Sequence, residues 1–124
     1  RDSVASRGLG DVYKRQHMFG PLFESLCALT LRVLAQANRA KVYHLRSNAG
    51  EREVDFIIEG AEREVLGVEV KLKPHIDDAD VRHLLWLRDR IPDRVTNLMV
   101  LTTGKQAYVR PDGVIVMPLA LLSN

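Results

Sequence analysis

Three charged residues in the middle of the chain have types and spacing suited to metal chemistry. Glu69 and Lys71 are separated by one residue within a largely apolar run, residues 65–72, and Asp55 comes directly before the apolar residues 56–58. Charged side chains on a buried strand are costly unless they are paired or bound to a ligand. Two carboxylates beside an ammonium group suit Mg²⁺, which prefers oxygen ligands and usually takes one or two carboxylates.

Two neighbouring strands must bring these side chains together. Alternate residues of a strand share a face, so Glu69 and Lys71 point to the same side of the strand predicted over residues 65–72. A strand is also predicted over residues 52–58, and a tight connection near Gly60 would fold the two strands into a hairpin. Asp55 would then lie within one or two pair positions of Glu69.

A helix is expected before these strands. Gly20-Pro21 is a helix-start signal, because proline is well tolerated at the first helical position, and the helix is expected to end near Asn38. Apolar residues recur at the spacing of an amphipathic helix: Leu22, Leu26, Leu29 and Val33, joined by Phe23 and Leu34.

The remaining elements complete an α/β pattern. A second helix is expected to be capped by Asp77 or Asp78 and stopped by Pro92. Further strands are predicted over residues 41–46, 95–102, 107–110 and 114–117. The order α-β-β-β-α-β, followed by a small β extension, predicts an α/β domain with a mixed sheet.

Three short runs in this order resemble a known group of enzymes. They are residues 22–25 (LFES), 52–56 (REVDF) and 67–71 (GVEVK). They resemble the PD-(D/E)XK nuclease superfamily, and more closely the C-terminal domain of unknown function that follows the ATPase module in many bacterial and archaeal AAA-type ATP-binding proteins. The resemblance covers residues 20–122. It implies a restriction-endonuclease-like αβββαβ core with a mixed central sheet flanked by helices.

The resemblance also implies roles for individual residues. Asp55 and Glu69 would ligate Mg²⁺, and Lys71 would stabilise the charge that develops near the attacking water or the phosphate. Glu24 matches a helical acidic residue that some members add as an outer metal ligand. Val54 stands where the superfamily has its proline. The implied activity is Mg²⁺-dependent cleavage of DNA, and the implied partners are DNA and an upstream ATPase module.

Two other interpretations stay open. In one, the domain is a non-catalytic module that binds DNA or a protein partner and regulates the ATPase. In the other, the charged pair Glu69–Lys71 only organises the sheet. The net charge of the domain helps to distinguish these interpretations from a DNA-cleaving enzyme, because surfaces that bind duplex DNA normally carry an excess of Lys and Arg.

The amino-terminal residues are treated separately. Residues 1–16 show no helical or strand periodicity and resemble a translated sequencing-adapter end, so we expect a non-native or disordered leader and a domain over residues 17–124. The whole chain has a net charge of +2, but without the leader 14 basic and 14 acidic residues remain. This neutral balance favours the non-catalytic interpretation.

Composition excludes several other classes of protein. A length of 124 residues favours a single domain. The single cysteine, Cys27, excludes an internal disulfide and a thiol-rich zinc site, so a cytoplasmic location is expected. The longest apolar run is about half the ~20 residues of a membrane span. No ATP site is expected, because Lys105 is not followed by Ser or Thr and Met99 replaces the first glycine of a phosphate-binding loop.

Overall fold

A six-stranded mixed sheet forms the centre of the computed structural model, which describes residues 4–47 and 49–122, with side chains from residue 19 onward. The elements are α1 (Val4–Ala37), β1 (Lys41–Arg46), β2 (Glu53–Glu59), β3 (Val65–Lys71), α2 (Arg82–Arg90), β4 (Val95–Thr102), β5 (Tyr108–Val109), β6 (Ile115–Pro118) and α3 (Leu119–Leu122), with a 3₁₀ turn (Asp78–Val81) before α2. The strand order is β1-β2-β3-β4-β6-β5. The pairs β1–β2, β2–β3 and β5–β6 are antiparallel, and β3–β4 and β4–β6 are parallel. The predicted α/β class with a mixed sheet is confirmed.

The sheet separates two apolar cores. Successive residues of a strand point to opposite faces, so each central strand contributes to both. The α2-side core includes buried residues from the sheet and from α2: Val54, Val65, Leu84, Leu87, Leu98 and Val100. The α1-side core includes buried residues from the sheet and from α1: Cys27, Leu31, Phe56, Val68, Val70 and Leu101. Both faces of β3 are covered, and this is why Glu69 near its end is buried and Lys71 is partly buried.

The face of α1 that meets the sheet is not the one indicated by the apolar spacing. Cys27, Leu31 and Ala35 are buried, at 0–5% exposure. Most of the apolar residues that the sequence pattern selected are 38–60% exposed: Leu22, Leu26, Leu29, Val33 and Leu34. Phe23 is the exception and packs against the α1-side core. This helix carries apolar residues on two faces, and a period of 3.6 residues does not say which face packs. The prediction for this face was therefore wrong.

The start of α1 also differs from the prediction. The helix begins at Val4, so Gly20 and Pro21 lie inside it. Proline lacks an N–H and removes one backbone hydrogen bond, and helical turns on both sides carry the helix past it. Helical backbone thus extends through much of the leader predicted over residues 1–16. Residues 1–3 of that leader, and residues 123–124 of the predicted domain, lie outside the described part.

The other boundaries follow the sequence closely. β1 and β4 have the predicted bounds. Asp77 caps the 3₁₀ turn in a capping box with Asp80, so the start signal was correct and the first turn is 3₁₀. α2 ends at Arg90, shortly before Pro92. α3 was not predicted. Of the helices in the described part of the chain, none has the length and apolar character of a membrane span.

Candidate functional site

The hairpin of β2 and β3 brings Asp55 beside Glu69. Phe56 pairs with Val68 in an antiparallel register, and just beyond this pair the Asp55 carboxylate lies against the backbone of Val70 and the side chain of Glu69. The predicted pairing is confirmed in this respect. The two carboxyl groups therefore lie at the end of the hairpin that is remote from the Gly60 turn.

The Asp55 side chain is fixed between the two strands. Its Oδ2 accepts a hydrogen bond from the backbone N–H of Val70 at 2.8 Å. The Asp55 carboxylate thus accepts the hydrogen bond that a backbone carbonyl of β2 would accept in a regular sheet. This bond holds the carboxylate between β2 and β3 rather than in solvent. This is the local geometry that directs Asp55 towards Glu69.

Glu69 is the buried acid of the pair. Its side chain is 5% exposed, and within the described residues its Oε1 has no hydrogen-bond partner. Burial raises the pKa of Glu69 from its ordinary value of 4.5 to about 9, and a hydrogen bond to Asp55 and the Asp55 charge add to the increase. The positive charge of Lys71 opposes it. Without a metal, Glu69 therefore carries a proton at neutral pH.

The two acids could together hold a divalent cation. A buried carboxyl oxygen without a partner, next to a second carboxylate, is a donor set that Mg²⁺ accepts together with water. A cation would replace the proton of Glu69 and offset the repulsion between the two carboxylates. Among the described residues, no three His, Cys, Asp or Glu side chains lie close enough to share one ion. The predicted outer ligand, Glu24, is thus not assembled with Asp55 and Glu69 into a three-ligand set.

Lys71 ends β3 on the same face as Glu69 and is partly buried. Near it, on α2, lies His83, whose Nδ1 is buried and has no hydrogen-bond partner among the described residues. Burial lowers the pKa of His83, and the charges of Arg82, Arg52 and Lys71 lower it further. His83 was not among the predicted site residues, because it approaches Lys71 only through the packing of α2 on β3, which is distant in sequence.

A pocket of about 520 Å³ adjoins Asp55 on the side of α1. Its lining includes Glu24 from α1 and His44 and Arg46 from β1. Burial raises the pKa of the Cys27 thiol to about 12, and the charges of Glu24 and Asp55 contribute to the rise. The structure therefore places Glu24 in the same acidic neighbourhood as Asp55, although not as a joint ligand.

Fold and site together define an α/β domain with two facing carboxyl groups and a lysine at the open end of an antiparallel strand pair. Residues 19–122 match a family described as Domain of unknown function (DUF4143), and the chain belongs to this family. The predicted resemblance to a domain of unknown function is confirmed to that extent. No curated protein and no solved structure matches the chain.

Proposed function

We propose that this domain is a Mg²⁺-dependent phosphodiesterase of the PD-(D/E)XK type that acts on DNA. One observation carries the proposal: the Glu69 carboxyl is buried against Asp55 with one oxygen unpartnered. A protonated Glu69 needs no cation, but its buried Oε1 has no hydrogen-bond partner in the described part of the chain, which costs free energy unless a ligand supplies the contact. Within the described residues, no ion pair within 4.0 Å joins Glu69 to Lys71. The arrangement is therefore better suited to a ligand than to organising the sheet.

In this proposal the acidic residues bind the metal and the basic residue binds the phosphate. Asp55 and Glu69 would hold Mg²⁺, which when bound polarises a phosphoryl oxygen and lowers the pKa of bound water. The Lys71 ammonium group would stabilise negative charge on the phosphate oxygens. The adjoining pocket borders Asp55 but is lined by neither Glu69 nor Lys71, so a substrate would reach these two residues from outside that pocket.

Plasmid nicking tests the proposal. The protein should convert supercoiled plasmid to the nicked form with Mg²⁺ but not with EDTA. Glu69→Gln and Lys71→Met should each reduce the rate by about 100-fold or more. Matched changes at exposed positions, Glu62→Gln and Lys105→Met, should leave it unchanged. Cleavage that persists in the first two variants, or no Mg²⁺-dependent cleavage by the wild type, would contradict the proposal.

A non-catalytic binding module is the second candidate, because residues 17–124 carry 14 basic and 14 acidic residues, without the cationic excess of a duplex-binding surface, and some of the cations are engaged within the fold. Arg94 pairs with Glu59, and Arg88 donates to the Asp112 carbonyl at 2.8 Å. Arg110 is also engaged, within 3.1 Å of two aspartates. This alternative predicts binding of DNA or of a protein partner without cleavage. A gel-shift assay with and without Mg²⁺ separates the two functions.

We also propose that the domain works with an AAA-type ATP-binding module in the cytoplasm. The support is the resemblance of residues 22–25, 52–56 and 67–71 to the domain that follows such modules, and the single cysteine of the chain. Sequencing the complete gene tests the association. A phosphate-binding loop encoded upstream is expected, and a complete gene without one would contradict this part of the proposal.

A further inference from the structure

A β-bulge surrounds Asp55. Between Tyr43 and Leu45 the β1–β2 register shifts, so that His44 alone faces two residues of β2, Asp55 and Phe56. Such a bulge redirects side chains and is common next to active sites.

The packing around the bulge shows what it changes. Val54 belongs to the α2-side core and Phe56 to the α1-side core. Residues two apart in a regular strand would share one face. The extra residue at Asp55 shifts the alternation of side chains by one position. Val54 and Phe56 are therefore buried on opposite sides of the sheet.

His44 holds the bulge from the neighbouring strand. Its Nδ1 lies 2.6 Å from the Asp55 carbonyl oxygen. Because a carbonyl only accepts, the Nδ1 atom carries the proton, and in the neutral ring Nε2 is left without one. The ring also packs on Phe56, with the centroids 5.2 Å apart and the planes at 50°. The imidazole is thus held by both residues that make up the bulge.

We propose that His44 is a positioning residue for the metal site, an inference that rests on the proposed function. Asp55 is held at two ends, its carbonyl by His44 of β1 and its carboxylate by the Val70 N–H of β3. The first contact sets the backbone of the bulge, and through it the direction of the carboxylate towards Glu69. Hydrogen bonds of this outer kind orient metal ligands and tune their affinity.

Calorimetric titration with Mn²⁺, used in place of Mg²⁺, tests the inference. His44→Phe keeps an aromatic ring on Phe56 but cannot donate to Asp55, and it should bind Mn²⁺ about 10-fold more weakly than the wild type. His44→Asn retains an N–H near the position of Nδ1 and should bind within about threefold of the wild type, since the donor is kept. His75→Phe, at an exposed histidine, is the matched control and should change nothing. Wild-type affinity in His44→Phe would overturn the inference.

Amide hydrogen exchange at Val70 provides a readout that needs no metal. If Asp55 moves, its hydrogen bond to this N–H weakens, so exchange should be faster in His44→Phe at an unchanged urea midpoint. Unchanged exchange would overturn the inference. A wild type that does not bind Mn²⁺ would instead refute the proposed metal site, and the Val70 result would still decide whether His44 positions Asp55.

A second pair of variants covers the case in which His44→Phe does not fold. His44→Asn and His44→Gln both carry an amide, but glutamine places it near the position of Nε2. Slower Val70 exchange and tighter Mn²⁺ binding in His44→Asn than in His44→Gln would support the inference. Equal values in the two variants would overturn it.

Discussion

Replacing Glu69 by glutamine should remove much of the pH dependence of stability of the metal-free protein near neutral pH. The pKa of Glu69 is raised from 4.5 to about 9, mainly by burial and in addition by Asp55. The folded state therefore holds a proton that the unfolded state releases. This contribution to stability is fully present below the unfolded pKa and is lost as the pH rises through the folded pKa.

The expected size follows from the shift. Each pH unit between the two pKa values corresponds to about 1.4 kcal/mol. Between pH 7.0 and 8.5 the free energy of unfolding of the wild type should fall by about 2 kcal/mol through this one group. A glutamine side chain does not ionise but can still donate a hydrogen bond to Asp55. In Glu69→Gln this part of the decrease should therefore disappear.

Urea denaturation in EDTA at the two pH values measures the effect. EDTA removes any bound cation, so that the proton is the only species that can neutralise Glu69. Glu62→Gln serves as the control for a general change in net charge, because Glu62 is exposed. The same fall in stability with pH in wild type and Glu69→Gln would refute the assignment of Glu69 as a buried, protonated acid.

Three further predictions test other parts of the structure. The Cys27 thiol is 0% exposed, with a pKa of about 12, so it should react with a thiol reagent at pH 8 only after unfolding; rapid labelling of the native protein would contradict this. Gly67→Ala would bring a Cβ within 3.0 Å of Leu87 and should destabilise the protein by about 1–3 kcal/mol, and an unchanged urea midpoint would show that the core can adjust. Arg110→Lys breaks a fork of hydrogen bonds at a largely buried side chain and should cost about 1–3 kcal/mol in thermal or urea unfolding. Arg46→Lys, at an exposed ion pair, should change stability by less than about 0.5 kcal/mol, and equal losses in the two arginine variants would contradict the distinction.

The strands could be predicted well because their signals are local. The β-branched residues of β4 and the charged ends of β1 mark boundaries that the structure reproduces. The approach of Asp55 to Glu69 was also predictable, since a tight turn near Gly60 leaves few registers for the hairpin. These features depend on neighbouring residues and on one short connection.

The features that were missed depend on long-range packing. Both faces of α1 are apolar, and only the complete sheet determines that Cys27 and Leu31, rather than Leu26 and Leu29, become buried. The bulge at Asp55 could not be recognised either, because it results from the opposite demands of two cores on β2. His44 therefore showed no signal in the sequence.

The bulge in β2 also determines where the chain can change in length during evolution. Deleting Asp55, the one residue between Val54 and Phe56, would restore a regular strand with these two side chains still in their opposite cores, but it would remove the carboxylate that faces Glu69. The turn after Gly60 joins the strands at the surface and has no such constraint, since its residues 61–63 are exposed. Insertions and deletions among relatives should therefore collect in that turn, whereas the short stretch around Asp55 keeps a constant count of residues.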